Sequence, residues 1–167
     1  MIKIDVTQAQ IDRAKSRYKF GVLPGSITGG KQNVFGALGE IVVLDYYNKL
    51  GKDIQDTPTT DFDFIIDEKK VDVKSRPVNN KPKPFHTFNL PEYSVRLQKC
   101  EFYLVVWIRK DLQFAWIYGY IEKDEFVRLA RFYKKDEPYN YYNGKPSVYH
   151  VDTYQIINRQ LKKINHK

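Results

Sequence analysis

The chain has 167 residues, 42% hydrophobic and 29% charged, which is enough for one compact domain with a real core and too few for two. No uncharged run approaches the roughly 18 to 20 apolar residues of a membrane span, and the opening MIKIDVTQAQ has no signal-peptide core, so the expectation is a cytosolic protein with no membrane partner. A lone Cys100 excludes an internal disulfide and a cysteine-based zinc site. A net charge of +8 with a pI near 9.4 points to a polyanionic partner, nucleic acid first.

The first element is a helix over about residues 8–18. Thr7 and Gln10 have capping-box spacing, and Val6 and Ile11 have hydrophobic-staple spacing. Arg13, Lys15, Arg17 and Lys19 make one side of it either a solvated or a phosphate-contacting face. The glycine-rich stretch FGVLPGSITGGKQN that follows must be loop. Within it GSITGGKQ nearly matches a phosphate-binding loop, but Gln32 stands where the magnesium-binding hydroxyl belongs and no buried parallel strand leads in. The stretch reads instead as a flap before the next helix, with Ser26, Thr28, Lys31 and backbone amides available to phosphates.

A second helix is expected over about residues 34–49, stopping at Gly51. Glu40 emerges from its apolar stripe, beside Ala37, Val43, Leu44 and Tyr47, and a carboxylate there is costly to bury unless paired or bound to a cation. Gly36, Ala37 and Gly39 add no bulk, which lets this helix approach the strands or a ligand closely.

The stretch DFDFIIDEKKVDVKSR, residues 61–76, carries the most chemistry. Phe62, Phe64 and Ile66 alternate with Asp63 and Ile65, then Val71 and Val73 alternate with Asp72 and Lys74, the period-2 pattern of two half-buried strands. A two-residue loop at Asp67 and Glu68 sets Phe64 against Val71, Phe62 against Val73 and Asp63 against Asp72. The apolar pairs then share one face and Asp63, Asp72 and Lys74 the other. Two carboxylates that close raise each other's proton affinity unless a cation lies between them. Oxygen-only ligands suit Mg²⁺, with Mn²⁺ as substitute, and the Lys74 ammonium points to the same place.

Four prolines and two adjacent asparagines make RPVNNKPKPFHTFNLPE a long irregular loop bordering the cleft, with Arg76, Lys81 and Lys83 as nucleic-acid contacts and His86 as polar surface. Residues 101–109 and 113–121 read as strands, linked through Lys110, Asp111 and Leu112 and extending the sheet. Cys100 is a small apolar residue before the first of them. A short helix is expected over about residues 124–132, with Phe126, Val127, Leu129, Ala130 and Phe132 on its apolar side. Beyond it, Tyr133, Tyr139, Tyr141, Tyr142, Tyr149 and Tyr154 lie among basic residues, where packing against a core is favoured over base stacking. The last stretch, about 153–164, reads as a basic amphipathic helix, and His150 and His166 are isolated. The fold class is α/β, a mixed central β-sheet flanked by helices, in a single domain over 1–167 whose core spans about 34–121, with a basic, Tyr-rich extension over about 133–167.

The order helix with Glu40, strand with Asp63, strand with Asp72, Val73 and Lys74 resembles the PD-(D/E)xK, or restriction-endonuclease-like, nuclease superfamily. The resemblance covers the core and rests on the ordered triplet, since Asp-x-Lys alone is a weak motif; Phe62 replaces the name-giving proline. It implies a restriction-endonuclease-like core in which Glu40, Asp63 and Asp72 bind the metal and Lys74 is the catalytic lysine, with Asp61 ranking second to Asp63. The implied activity is Mg²⁺-dependent endonucleolytic hydrolysis of DNA, in a restriction, homing, repair or phage-type role. Double-strand cleavage then needs a homodimer or two successive encounters. The alternative is a non-catalytic nucleic-acid-binding module on the same fold, with a nucleotide-binding protein using residues 25–31 a distant third.

Overall fold

The computed structural model describes residues 1–18, 33–57, 59, 61–142 and 144–164. The first strand, β1 (Ile2–Asp5), alternates half-buried isoleucines with exposed Lys3 and Asp5. Helix α1 (Gln8–Tyr18) starts at the anticipated capping box: the Thr7 amide donates to Gln10 Oε1 at 3.0 Å, and the Gln10 amide donates to Thr7 Oγ1 at 3.3 Å. Helix α2 (Asn33–Lys49) packs between α1 and the sheet, so it buries Leu38, Ile41, Val42 and Val43 rather than one narrow stripe. It ends where Gly51 takes a φ of +65°, as a residue without a Cβ does at a helix C-terminus.

Next come β2 (Ile54–Asp56), β3 (Phe64–Ile66) and β4 (Lys69–Val78). Asp67 and Glu68 join β3 to β4 with φ of +47° and +64°, the left-handed pair of a tight hairpin turn, and the register is the anticipated one, Phe64 opposite Val71. The hairpin of β6 (Phe102–Arg109) and β7 (Phe114–Glu122) extends the sheet as expected, and β6 runs parallel to β4 from Val71↔Phe102 to Val78↔Arg109. The sheet order is β1-β7-β6-β4-β3-β2, a mixed sheet with helices packed on it.

Several expectations about local structure need correction. Residues 76–78 are not loop: β4 continues through Pro77, because β3 stops at the Phe64↔Val71 pair and frees the far edge of β4, where a proline breaks no second ladder. Part of the supposed loop beyond it is a strand, β5 (Thr87–Pro91), followed by α3 (Glu92–Leu97). The helix near residue 124 is only α4 (Lys123–Leu129), and Phe132 lies instead in β8 (Arg131–Tyr133).

After the hairpin of β9 (Pro138–Tyr142) and β10 (Lys145–Val148), the expected C-terminal helix is in fact β11 (Thr153–Ile157) and a 3-10 turn (Asn158–Gln160). β11 pairs with β5 on one side and β8 on the other, and pairing on both edges suits its β-branched Thr153, Ile156 and Ile157 better than a helix does. This second sheet, with α3 and α4, covers the far face of the main sheet over Phe88, Tyr103, Trp107, Phe126 and Ile156. The near face packs Phe64, Val71, Val73, Leu104, Val106 and Ile117 against α1 and α2. Among the described residues no helix is long and apolar enough to cross a membrane.

Candidate active site

Side chains on β4 alternate between the two faces. Val71, Val73 and Ser75 point toward α2, while Asp72 shares the other side with the core around Tyr103. Asp72 is 4% exposed. Its Oδ1 accepts a hydrogen bond from Gln98 Nε2 at 2.9 Å, and its Oδ2 lies 2.5 Å from Lys74 Nζ yet makes no hydrogen bond of proper geometry. Gln98 is held in turn by Lys123, whose ammonium donates to the Gln98 carbonyl. Burial raises the proton affinity of the Asp72 carboxyl, and the Lys74 and Lys123 charges oppose it.

Asp63 departs from the anticipated ladder. Its amide donates to the Val71 carbonyl at 3.0 Å, and its carboxylate Oδ2 accepts the Val73 amide at 2.6 Å. The Phe62 carbonyl is taken up by the hydroxyls of Thr57 at 3.0 Å and Thr59 at 3.2 Å. The ladder therefore ends at Phe64↔Val71, and neither Asp63 with Asp72 nor Phe62 with Val73 forms the anticipated pair, a correction with a local cause: the Asp63 side chain occupies the amide that a continuing strand would have used. Burial, then the negative charges of Asp72 and Glu40, push the Asp63 carboxyl up to about 8, while the Val73 amide and Lys74 pull it down. Asp61 stands apart, in an ion pair with Lys99 at 2.9 Å.

Glu40 is brought in by α2. The helix can approach β4 because position 39 is glycine: a Cβ there would fall 1.8 Å from Ser75 Oγ. Burial raises the Glu40 carboxyl, Arg17 opposes that, and Asp72 and Asp56 add to it. Arg17, in the last turn of α1, spans two acids: Nη1 donates to Glu40 Oε2 at 3.2 Å and Nη2 to Asp56 Oδ2 at 2.6 Å. Together with Thr57, Thr59 and Asp63 these three line a surface pocket of about 480 Å³.

Glu40, Asp63 and Asp72 thus come from α2, the approach to β3 and β4 and feel one another's charge, with Lys74 on Asp72. Among the described residues no three His, Cys, Asp or Glu side chains form a ready-made metal cage. Each carboxylate has a partner of its own: Arg17 bridges Glu40 and Asp56, the Val73 amide donates to Asp63, and Lys74 and Gln98 hold Asp72. The donors themselves fit a hard divalent cation. All are carboxylate oxygens drawn largely out of solvent, and Asp72 Oδ2 is buried with the Lys74 ammonium 2.5 Å away.

Of the residues expected to touch nucleic acid, Arg76 turns inward and donates Nη2 to the Asn89 carbonyl on β5, whereas Lys81 and Lys83 are exposed. Lys31, Ser26 and Thr28 lie outside the described residues. The sequence pattern missed Arg17 and Asp56 as site residues, and Gln98 and Lys123 as supports. Arg17 looked like one cation among several on α1, and Ile54-Gln55-Asp56 carries no strand pattern long enough to read.

Neither a protein-family model nor a curated protein sequence matches the chain.

Proposed function

We propose that this chain is a metal-dependent endonuclease hydrolysing DNA phosphodiester bonds, with a restriction-endonuclease-like core and a PD-(D/E)xK-type site. The observation that carries this reading is that α2 and the approach to β3 bring Glu40 and Asp63 to one surface pocket, with the Asp63 carboxylate on the Val73 amide between Asp72 and Lys74 and the Lys74 ammonium against Asp72. A solvated acidic face would leave these carboxyls exposed and independently titrating; here burial is the first cause of the upward shift at each one.

Glu40, Asp63 and Asp72 would hold Mg²⁺, or Mn²⁺ in its place. When bound, such an ion withdraws charge from a phosphoryl oxygen and acidifies a coordinated water. Lys74, 22% exposed at its side chain, is the group positioned to orient the attacking water and to balance charge growing on the phosphate. Asp72 anchors Lys74, and Gln98 anchors Asp72, so the lysine is held by two successive contacts. The net charge of +8 supplies sequence-independent affinity for the phosphate backbone, falling with salt. One site cuts one strand, so double-strand cleavage requires a homodimer or a second encounter.

The test is incubation of the purified protein with plasmid, nicked, branched and single-stranded DNA, with and without Mg²⁺ or Mn²⁺. Cleavage that needs the divalent ion and disappears in Asp72→Ala and Lys74→Ala, with DNA binding retained, supports the reading. A second reading, a non-catalytic nucleic-acid-binding module on this fold, is favoured by the way Arg17 and Lys74 already neutralise the acids. It predicts DNA binding with no divalent-dependent cleavage at all.

A further inference from the structure

The turn at residues 83–86 is pinned from beneath. The His86 amide donates to the Lys83 carbonyl at 3.1 Å to close it. From the 3-10 turn, Asn158 Nδ2 donates to the Lys83 carbonyl, the Asn158 amide to the His86 carbonyl and the Arg159 amide to the Pro84 carbonyl, each at 2.9 Å. Asn158 is buried, and its Oδ1 accepts the Trp107 indole proton at 3.2 Å, so the anchor is itself tied to β6.

This framework holds Phe85 outward, 65% exposed. A phenylalanine on a loop free to rearrange would carry its ring onto apolar surface; three backbone bonds fix the path of the loop here. The Lys83 ammonium stands 5.5 Å from the Phe85 ring centre, and the His86 ring lies 5.4 Å away, edge-on. Phe85, His86, Trp107 and Lys110 line an open pocket of about 430 Å³. Lys83 and Lys110 are exposed and make no ion pair among the described residues.

An exposed aromatic ring with two unneutralised cations beside it matches the two faces of a nucleic-acid strand, a flat base and its phosphates. In a duplex the flat base faces are hidden by stacking, so the matching ligand is unpaired. β4 leads from Lys74 to Val78, a rise of about 13 Å at strand spacing, and the Val78 carbonyl bonds the Lys110 amide at 3.0 Å. The cluster therefore lies beyond the Val78 end of the strand that carries Asp72 and Lys74.

We propose that Phe85, flanked by Lys83 and Lys110, is a stacking platform for an unpaired base, so that the preferred ligand is DNA with a single-stranded segment. This rests on the proposed function only in taking DNA as the ligand. The test measures fluorescence anisotropy of an oligo-dT strand and of a duplex of equal length, in EDTA so that no cleavage intervenes, for wild type, Phe85→Ala, Phe85→Tyr and Lys83→Ala.

Phe85→Ala is expected to weaken oligo-dT binding about tenfold while duplex affinity stays within about twofold. Phe85→Tyr keeps wild-type binding, which separates loss of the ring from loss of fold. Lys83→Ala lowers the slope of log K against log salt by about 0.7 on the single strand. Unchanged oligo-dT affinity in Phe85→Ala, or equal losses on strand and duplex, overturns the platform and leaves the nuclease reading standing. Failure of the wild-type protein to bind either DNA overturns the platform, and the nuclease reading falls with it only where cleavage with Mg²⁺ is absent too.

Discussion

A Cβ at Gly39 on α2 would stand 1.8 Å from the Ser75 hydroxyl oxygen on β4 and 2.9 Å from the Ser75 Cβ. The helix carrying Glu40 touches the strand carrying Asp72 and Lys74 at this point, so the spacing between the acids is set by a missing side chain. Gly39→Ala gains about 1 kcal/mol of helix propensity but must push Ser75 or the helix aside, at a cost of about 1 to 3 kcal/mol. The expected result in thermal or denaturant unfolding is net destabilisation, with loss of any cleavage activity as Glu40 shifts. In a Ser75→Gly background the nearest remaining atom is Val106 Cβ at 3.7 Å, so the same substitution there becomes neutral or stabilising. A penalty that persists in that background would show that the Ser75 contact is not its cause.

Arg17 joins Glu40 to Asp56 and thereby sits as an internal counter-ion on one of the proposed metal ligands. A divalent ion binding through Glu40 has to compete with it. Arg17→Gln is therefore expected to tighten Mn²⁺ binding, on the order of fivefold for a half-exposed ion pair, as followed by electron paramagnetic resonance titration. If Arg17 instead serves to hold Glu40 in place, the same variant binds Mn²⁺ more weakly.

The Asp63 carboxyl, at about 8 in the folded protein against an ordinary 3.8, makes stability depend on pH in a definite direction. Its folded-state proton affinity is raised, so the folded state holds the proton that the unfolded state releases. The contribution is fully present below about pH 4 and is lost as pH rises through about 8. In EDTA, the melting temperature of the wild type should fall across that window more steeply than that of Asp63→Asn, whose amide oxygen can still accept the Val73 proton. Added Mg²⁺ should raise the melting temperature more at pH 8 than at pH 5.5, because the ion binds the ionised carboxylates. Parallel curves for wild type and variant would show that Asp63 titrates normally.

Ile156 on β11 is 2% exposed and packs in the second core with Phe88, Tyr103 and Phe126. Ile156→Ala should cost about 2 to 5 kcal/mol, the range for a buried branched aliphatic, in urea unfolding. A change below about 0.5 kcal/mol, typical of surface positions, would mean that the C-terminal strand only decorates the fold.

The β3–β4 turn, the α1 capping box, the α2 helix and the β6–β7 hairpin were all legible in the chain. Each depends on contacts between near neighbours: Asp67 and Glu68 close their own turn, and Thr7 and Gln10 cap their own helix. Glu40, Asp63, Asp72 and Lys74 stood out in the sequence because a charged residue on an otherwise apolar face demands a partner; the folded chain sets Arg17 on Glu40, the Val73 amide on Asp63 and Lys74 on Asp72. What local pattern misread was Pro77 inside a strand, β11 in place of a basic helix, and Arg76 turned inward to Asn89.

The order of residues alone determined which short segments form helices and hairpins and which acids are too costly to leave unpaired, since both follow from spacing within a few residues and from desolvation. Only the folded chain decided that Arg17 and Asp56 join Glu40, that Asp63 accepts the Val73 amide instead of leaving its strand in register, and that Asn158 holds Phe85 outward. Those contacts link residues from ten to seventy-five positions apart. Their partners are chosen by how the sheet and helices pack, and no periodicity records that choice.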